Sequence, residues 1–172
     1  MAEKRTLILN QEQIRQKTTR IAYQIWEDNF DEDFIVLGAI AERGYIFAER
    51  LKKNLEKICP DKDIEIIKIL IDKNNRKLEA STDKSIETAK NKVLILVDDV
   101  LNSGRTLAYG LGVFLNTPLK KMRTAVLIDR SHHLFPIFSD YYGVRLSTVL
   151  KEHIHVSFRE KGGSEEDAAW LY

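Results

Sequence analysis

Two adjacent aspartates, Asp98 and Asp99, follow five consecutive apolar residues (93–97, VLILV) and stand just before a small polar loop, Asn102-Ser103-Gly104-Arg105-Thr106. Two carboxylates at the end of a buried strand can accept hydrogen bonds from the paired hydroxyls of a sugar, and can help to hold a magnesium ion directly or through water. The loop puts a glycine and two hydroxyls at the start of a helical segment, where the first backbone N–H groups lack intrahelical partners and the helix dipole favours an anion. Consecutive N–H groups beside the Ser103 and Thr106 hydroxyls suit a terminal phosphate. Taken alone, the loop is equally an ordinary turn capped by Asn102 or Ser103. The acid pair shifts the reading, because a solvated turn does not explain two carboxylates directly after a buried run. Other nucleotide signatures fit poorly. There is no G-x-x-x-x-G-K-S/T, and Gly110 and Gly112 lie inside a helical stretch rather than in a strand–helix turn.

Those groups must be carried on a scaffold, and the chain alternates strand-like and helical segments. Asn10 with Gln13 reads as a capping box, and Ile14, Ile21, Ala22 and Ile25 then share one helical face to about residue 28. The run 34–40 (FIVLGAI) predicts a strand covered on both faces, and 44–58 predicts a helix with Ile46, Leu51, Leu55 and Ile58 inward. A β-branched run over 64–71 predicts a strand, and the polar stretch 72–91 a long loop, a length often found in functional lids. Strands follow at 93–97 and 124–129, with a helix over 105–115 between them. Strand-like segments at 144–150 and 153–158 precede a tail over 159–172 that reads as linker and aromatic end. The alternation predicts an α/β fold with a central, mostly parallel sheet flanked by helices, whose ligand crevice lies at the carboxyl ends of the strands.

The bulk numbers bound the rest. A length of 172 residues at 44% hydrophobic fits one domain, placed at 1–158 with the tail 159–172 appended. Twenty-seven basic against 26 acidic residues give no global field toward nucleic acid or an anionic membrane, so any anion site must be local. The single cysteine, Cys59, excludes an intramolecular disulfide and suits a reducing cytosol. No run approaches the roughly 20 apolar residues of a membrane span. The expectation is a cytoplasmic protein without a membrane partner.

The stretch 93–106, VLILVDDVLNSGRT, resembles the phosphoribosyl pyrophosphate motif of the type I phosphoribosyltransferases. The chain is similar above all to the family of bifunctional pyrimidine-operon attenuators and uracil phosphoribosyltransferases. Residues 19–25 (TRIAYQI) resemble that family's first helix, and 39–44 (AIAERG) its pyrophosphate loop. Residues 125–143 (AVLIDRSHHLFPIFSDYYG) keep its spacing of Asp-Arg, His, Pro-Ile, Asp-Tyr and Gly, and 152–158 resemble its closing strand. Two departures stand out: Ala41 where the family commonly has lysine, and Ser131-His132-His133-Leu134 where it has Gly-His-Arg-Glu.

The resemblance implies the type I phosphoribosyltransferase fold with a small hood and a mobile lid loop. It implies an enzyme that uses phosphoribosyl pyrophosphate, a nucleobase and Mg2+, with uracil as the base. Asp98 and Asp99 would hold the ribose hydroxyls and the metal, Asn102, Ser103, Gly104, Arg105 and Thr106 the 5'-phosphate, and Ala41, Glu42, Arg43 and Gly44 the pyrophosphate, with the turn's peptide often cis. Asp98, Asp99 and Arg43 would be the catalytic set. Base recognition would fall to backbone groups at Ile128, Asp129 and Arg130, over Val100 and Leu101, and Lys73, Arg76 and Lys77 would be the lid cations. For His132 and His133 a surface or structural role is the reading. A homo-oligomer, dimer or larger, is also implied. Two alternatives accompany it: a phosphoribosyl pyrophosphate sensor that regulates RNA, with Arg15, Lys17 and Arg20 as a small basic patch, and a purine phosphoribosyltransferase, a group that commonly has Glu-Asp where this chain has Asp98-Asp99.

Overall fold

The computed structural model describes residues 5–72, 79–147, 152–159 and 166–172. In chain order these form β1 (Thr6–Leu9), α1 (Gln11–Asp28), β2 (Phe34–Ile40), α2 (Arg43–Ile58), β3 (Asp63–Asp72), β4 (Glu79–Thr82), a 3-10 turn (Ile86–Ala89), β5 (Val93–Leu101), α3 (Arg105–Phe114), β6 (Lys121–Asp129), β7 (Tyr141–Arg145), β8 (Ile154–Ser157) and β9 (Ala168–Leu171). The expected capping box is present: the Asn10 side chain accepts from the Gln13 N–H and the Gln13 side chain from the Asn10 N–H, both at 2.9 Å. Ile14, Ile21, Ala22 and Ile25 are buried along one face of α1.

Six strands form the main sheet in the order β4-β3-β2-β5-β6-β7; β3, β2, β5, β6 and β7 run parallel and β4 pairs antiparallel to β3 at the edge. Successive residues of each buried strand enter different cores. Ile35, Leu37 and Ala39 of β2, with Val93, Ile95 and Val97 of β5, pack toward α1 and α2. Val36, Ile40, Leu94 and Leu96 pack toward α3. That two-sided burial is why the runs 34–40 and 93–97 are continuously apolar instead of alternating. From β2 the chain moves through α2 to β3 on one side, and from β5 through α3 to β6 on the other. Right-handed crossovers in opposite directions put α2 and α3 on opposite faces, and the crevice opens where the directions diverge, at the ends of β2 and β5.

The second sheet has three antiparallel strands, β1-β9-β8, built from the two ends of the described chain. Here the structure differs from the expected appended tail, because Ala168–Leu171 is the middle strand of this hood and Ala169 is fully buried. Phe158 stacks on Phe47 of α2 with ring centroids 6.2 Å apart, and Arg50 of α2 grips the Asp167 carboxylate with both terminal guanidinium nitrogens. The hood is thereby tied to the helix that starts at the crevice. Trp170 pairs in register with Leu7 and His155 and carries the Arg5 guanidinium 4.4 Å from its ring centroid.

Three smaller boundaries differ from expectation. The expected loop 72–91 holds β4 and the 3-10 turn, β7 starts at Tyr141 rather than at 144, and β5 runs on through both aspartates to Leu101. Lys73, Arg76 and Lys77 lie outside the described residues, as do 148–150. Among the described residues no helix is long and apolar enough to cross a membrane.

Candidate active site

All nine residues of β5 are buried, so Asp98 and Asp99 stand on the strand itself, 9% and 7% exposed, and not on a solvated turn beyond it. The turn after β2 lies against them. Gly44 opens α2 so close to β5 that a Cβ there would come within 2.9 Å of the Val97 carbonyl oxygen and 3.1 Å of both the Asp98 Cα and its Oδ1. Only a glycine lets the helix start this near the acid pair. The Ala41–Glu42 peptide is cis, and the Ala41 N–H donates to the Ile69 carbonyl at 3.0 Å, which fixes the turn to β3.

The two carboxylates have different surroundings. Asp98 lines a cleft with Val100, Leu101, Asn102, Ser103, Gly104 and Thr106, and its Oδ1 accepts the Asp99 N–H at 2.9 Å. Asp99 Oδ2 lies 2.9 Å from the Arg43 Nε. Burial, then the neighbouring charge and hydrogen bond of Asp99, push the Asp98 carboxyl well above the usual carboxylate range; the Asp99 N–H and Arg43 pull the other way and do not cancel the rise. One end of Arg43 also reaches the hood, with its Nη1 3.4 Å from His155 Nδ1. The sequence reading did not single out His155; a histidine on the short closing strand gives no local signal of which distant turn it will face.

The loop after β5 ends on Gly104, which caps α3 with φ of +84°, a left-handed conformation that L side chains rarely adopt, and a Cβ there would meet Ile137 at 3.2 Å. Ser103 Oγ accepts the Arg105 N–H at 3.3 Å, and Ser103, Gly104 and Thr106 at the start of α3 line the cleft that holds Asp98. Thr106 lines that cleft, whereas the Arg105 guanidinium lies over the Tyr109 ring at 5.9 Å. The outer side of the loop is fastened to the chain after β6: the Leu134 and Phe135 N–H groups both donate to the Ser103 carbonyl at 2.9 Å, and Arg130 donates to Asn102 Oδ1 at 3.0 Å.

Of the residues expected around a base, Val100 and Leu101 line the cleft. The side chains of the other three are engaged elsewhere. Ile128 belongs to the core, and the Arg130 guanidinium bonds to Asn102 and to the Glu152 carbonyl at 2.8 Å. Asp129 is fully buried and accepts from Ser139 Oγ at 2.6 Å, the Ser131 N–H at 2.8 Å, His133 Nε2 at 2.9 Å and Arg145 Nε at 3.2 Å. Burial alone raises its carboxyl, but the bonds from Ser139, the Ser131 N–H and His133 outweigh that and hold it below the usual range. His133 thus secures the loop after β6 and packs edge-on against Phe138 at 5.3 Å.

Among the described residues no group of three or more His, Cys, Asp or Glu converges to hold a metal. Two adjacent carboxylates at the side of a crevice still fit magnesium, which commonly takes one or two protein carboxylates and fills its shell with water and substrate oxygens.

This geometry has counterparts. A family model described as the phosphoribosyl transferase domain matches residues 5–161. The chain belongs to that phosphoribosyltransferase family. It is 38% identical to the "Bifunctional protein PyrR" of Fusobacterium nucleatum, over 96% of this chain and 98% of that one, and 36% identical to the protein of the same name from Clostridium acetobutylicum, over 96% of each. A hypoxanthine-guanine phosphoribosyltransferase from Bacillus anthracis has a similar structure, with a TM-score of 0.69 and 25% identity over 81% of each chain. A hypoxanthine phosphoribosyl transferase of Trypanosoma cruzi gives a TM-score of 0.75 over 97% of this chain and 91% of that one; at 15% identity it is a likeness of fold alone. The protein is a phosphoribosyltransferase and has the fold of that family.

Proposed function

We propose that the protein transfers the phosphoribosyl group of phosphoribosyl pyrophosphate to uracil. The bond from C1 of the sugar to the pyrophosphate oxygen breaks, a bond from C1 to a ring nitrogen forms, and that nitrogen loses its proton. The observation that carries the reading is the placement of Asp98 and Asp99 at the end of β5 between two turns built for anions: 41–44, pressed against the pair through Gly44, and 102–106, opening α3. In this reading the first turn of α3 binds the 5'-phosphate, the acid pair binds the ribose hydroxyls, and the turn 41–44 with Arg43 takes the pyrophosphate. Backbone groups at 128–130 meet the base above Val100 and Leu101. In this arrangement the three sets align the ring nitrogen with C1, and a site with no covalent chemistry works through such alignment together with electrostatic stabilisation of the departing charge. Magnesium at Asp98 and Asp99, directly or through water, would neutralise charge on the departing pyrophosphate.

Uracil is favoured over a purine because the curated relatives at 32–38% identity are PyrR proteins, and because the acid pair is Asp-Asp. A sensor that regulates RNA would use the same site but needs a basic surface as well. On α1, Arg15 is paired with Glu12 and Arg20 donates to the Tyr142 and Gly143 carbonyls at 2.8 and 2.6 Å, which leaves Lys17 as the uncommitted cation of the three expected. A cytoplasmic dimer or larger assembly completes the proposal. Uracil, hypoxanthine, guanine, xanthine and adenine, each radiolabelled and incubated with phosphoribosyl pyrophosphate and magnesium, test it. Uridine monophosphate is the expected product. A purine nucleotide would move the assignment to the purine enzymes. No product from any base, with phosphoribosyl pyrophosphate still raising the melting temperature, would move it to the sensor.

A further inference from the structure

The turn 41–44 carries one cation of its own, Arg43, and that guanidinium is held by Asp99. A second cation reaches the turn from the neighbouring strand. Lys68 of β3 pairs in register with Ala39, at the end of β2, and its Nζ lies 3.2 Å from Glu42 Oε2, on the turn itself. The ammonium also sits 5.1 Å from the centroid of the Tyr45 ring, in the first turn of α2. Its side chain is 25% exposed whereas that of Glu42 is 77% exposed, so the lysine is the packed partner and the carboxylate the loose one. Lys68, Glu42 and Tyr45 line a crevice of about 560 Å³ beside the turn.

We propose that Lys68 is a pyrophosphate-binding residue, held by Glu42 until the anion arrives. The inference rests on the phosphoribosyl pyrophosphate reading of the site. Position supplies the first reason: the backbone of Lys68 is fixed on both sides, its N–H donating to Asp83 Oδ1 at 2.7 Å and its carbonyl accepting the Asp83 N–H at 3.1 Å, so the side chain is delivered to the turn by a rigid strand. Charge supplies the second. Pyrophosphate would enter beside Glu42, Asp98 and Asp99, and an anion approaching three carboxylates needs cations that can turn toward it. Glu42 occupies the position of a weakly held anion on Lys68, and a mobile surface carboxylate is easily displaced by a multiply charged phosphate. Lys84 and Glu65, 3.1 Å apart, show the ordinary alternative of a solvated pair, with the lysine the more exposed partner.

The test is titration of the full chain with inorganic pyrophosphate in the presence of magnesium, with uridine monophosphate as the control ligand that lacks the leaving group. Lys68→Met should weaken pyrophosphate about tenfold, as expected for one charge-assisted hydrogen bond, and leave the nucleotide within about twofold. Lys68→Arg should restore most of the loss. Glu42→Gln should tighten pyrophosphate clearly more in the Lys68 background than in Lys68→Met, where the loss of one repelling charge is all that remains; that difference is the coupling an exchange of partners requires. If wild type binds pyrophosphate and Lys68→Met binds it equally well, or loses both ligands alike, Lys68 is structural and the inference is overturned with the site reading intact. If wild type does not bind pyrophosphate, both fall together.

Discussion

Asp98 lies in the carboxyl-terminal half of β5 and Asp129 at the end of the neighbouring parallel strand β6, both buried, yet their surroundings are opposite. Asp129 has four donors on its two oxygens, and its charge is held by them. Asp98 has the adjacent N–H and a second carboxylate beside it, and burial drives it toward the protonated form. The same residue type therefore serves as a fastener in one strand and as an open acceptor in the next. A fold does not leave a buried carboxylate poorly partnered without cost, since unpaired burial is destabilising. The place where that cost is tolerated is where a sugar, a cation or both can complete the shell.

Asp129→Ala leaves Arg145, His133, Ser139 and the Ser131 N–H without their common acceptor, and should cost about 3–5 kcal/mol of stability in urea unfolding. Because the loop it fastens also ties down Ser103, affinity for phosphoribosyl pyrophosphate should fall as well. A variant as stable as wild type would show that the four bonds are dispensable. Next comes Gly44→Ala, which sets a methyl group against the Val97 carbonyl and Asp98. A displacement of the acid pair by a few tenths of an ångström to 1 Å should lower kcat/KM by about a hundredfold with a small change in melting temperature. Unchanged kinetics would mean that the close approach of α2 does not position Asp98.

The smallest effect is the most diagnostic. Between the ordinary carboxylate value and its own raised value, Asp98 holds a proton in the native state that the unfolded chain has released, so its contribution to stability falls as pH rises through that window. Asp98→Asn keeps the bond to the Asp99 N–H and removes the titration. It should be more stable than wild type above the window, with the gain vanishing toward acid pH. Asp129 has the reverse sign: its stabilisation is complete above the ordinary carboxylate value and is lost as pH falls through its lowered one. Equal pH dependence of wild type and Asp98→Asn would remove the contrast between the two aspartates.

How far the sequence foretold this depended on whether the signal was local. β2 matched its expected limits and α1 its capping box, because continuous apolar runs and a reciprocal cap are written in neighbouring residues. β5 exceeded its expected end because a carboxylate reads as solvated, and only the neighbouring strands reveal that Asp98 and Asp99 are still inside the ladder. The hood was harder. Its three strands have four residues each and come from opposite ends of the chain, so the pairing that makes Ala168–Leu171 its middle strand is not visible locally. β4 was hidden for a related reason, being a short edge strand in a polar stretch, supported by β3 on one side. His155 and Lys68 reach the turn 41–44 through pairings of this non-local kind.

If the open carboxylates of β5 bind the sugar phosphate, calorimetric titration of phosphoribosyl pyrophosphate with magnesium into wild type and into Asp98→Asn/Asp99→Asn will show it. Wild type should bind saturably, and the double variant should lose about a hundredfold or more in affinity with its melting temperature maintained. Equal affinity in the two proteins would contradict it.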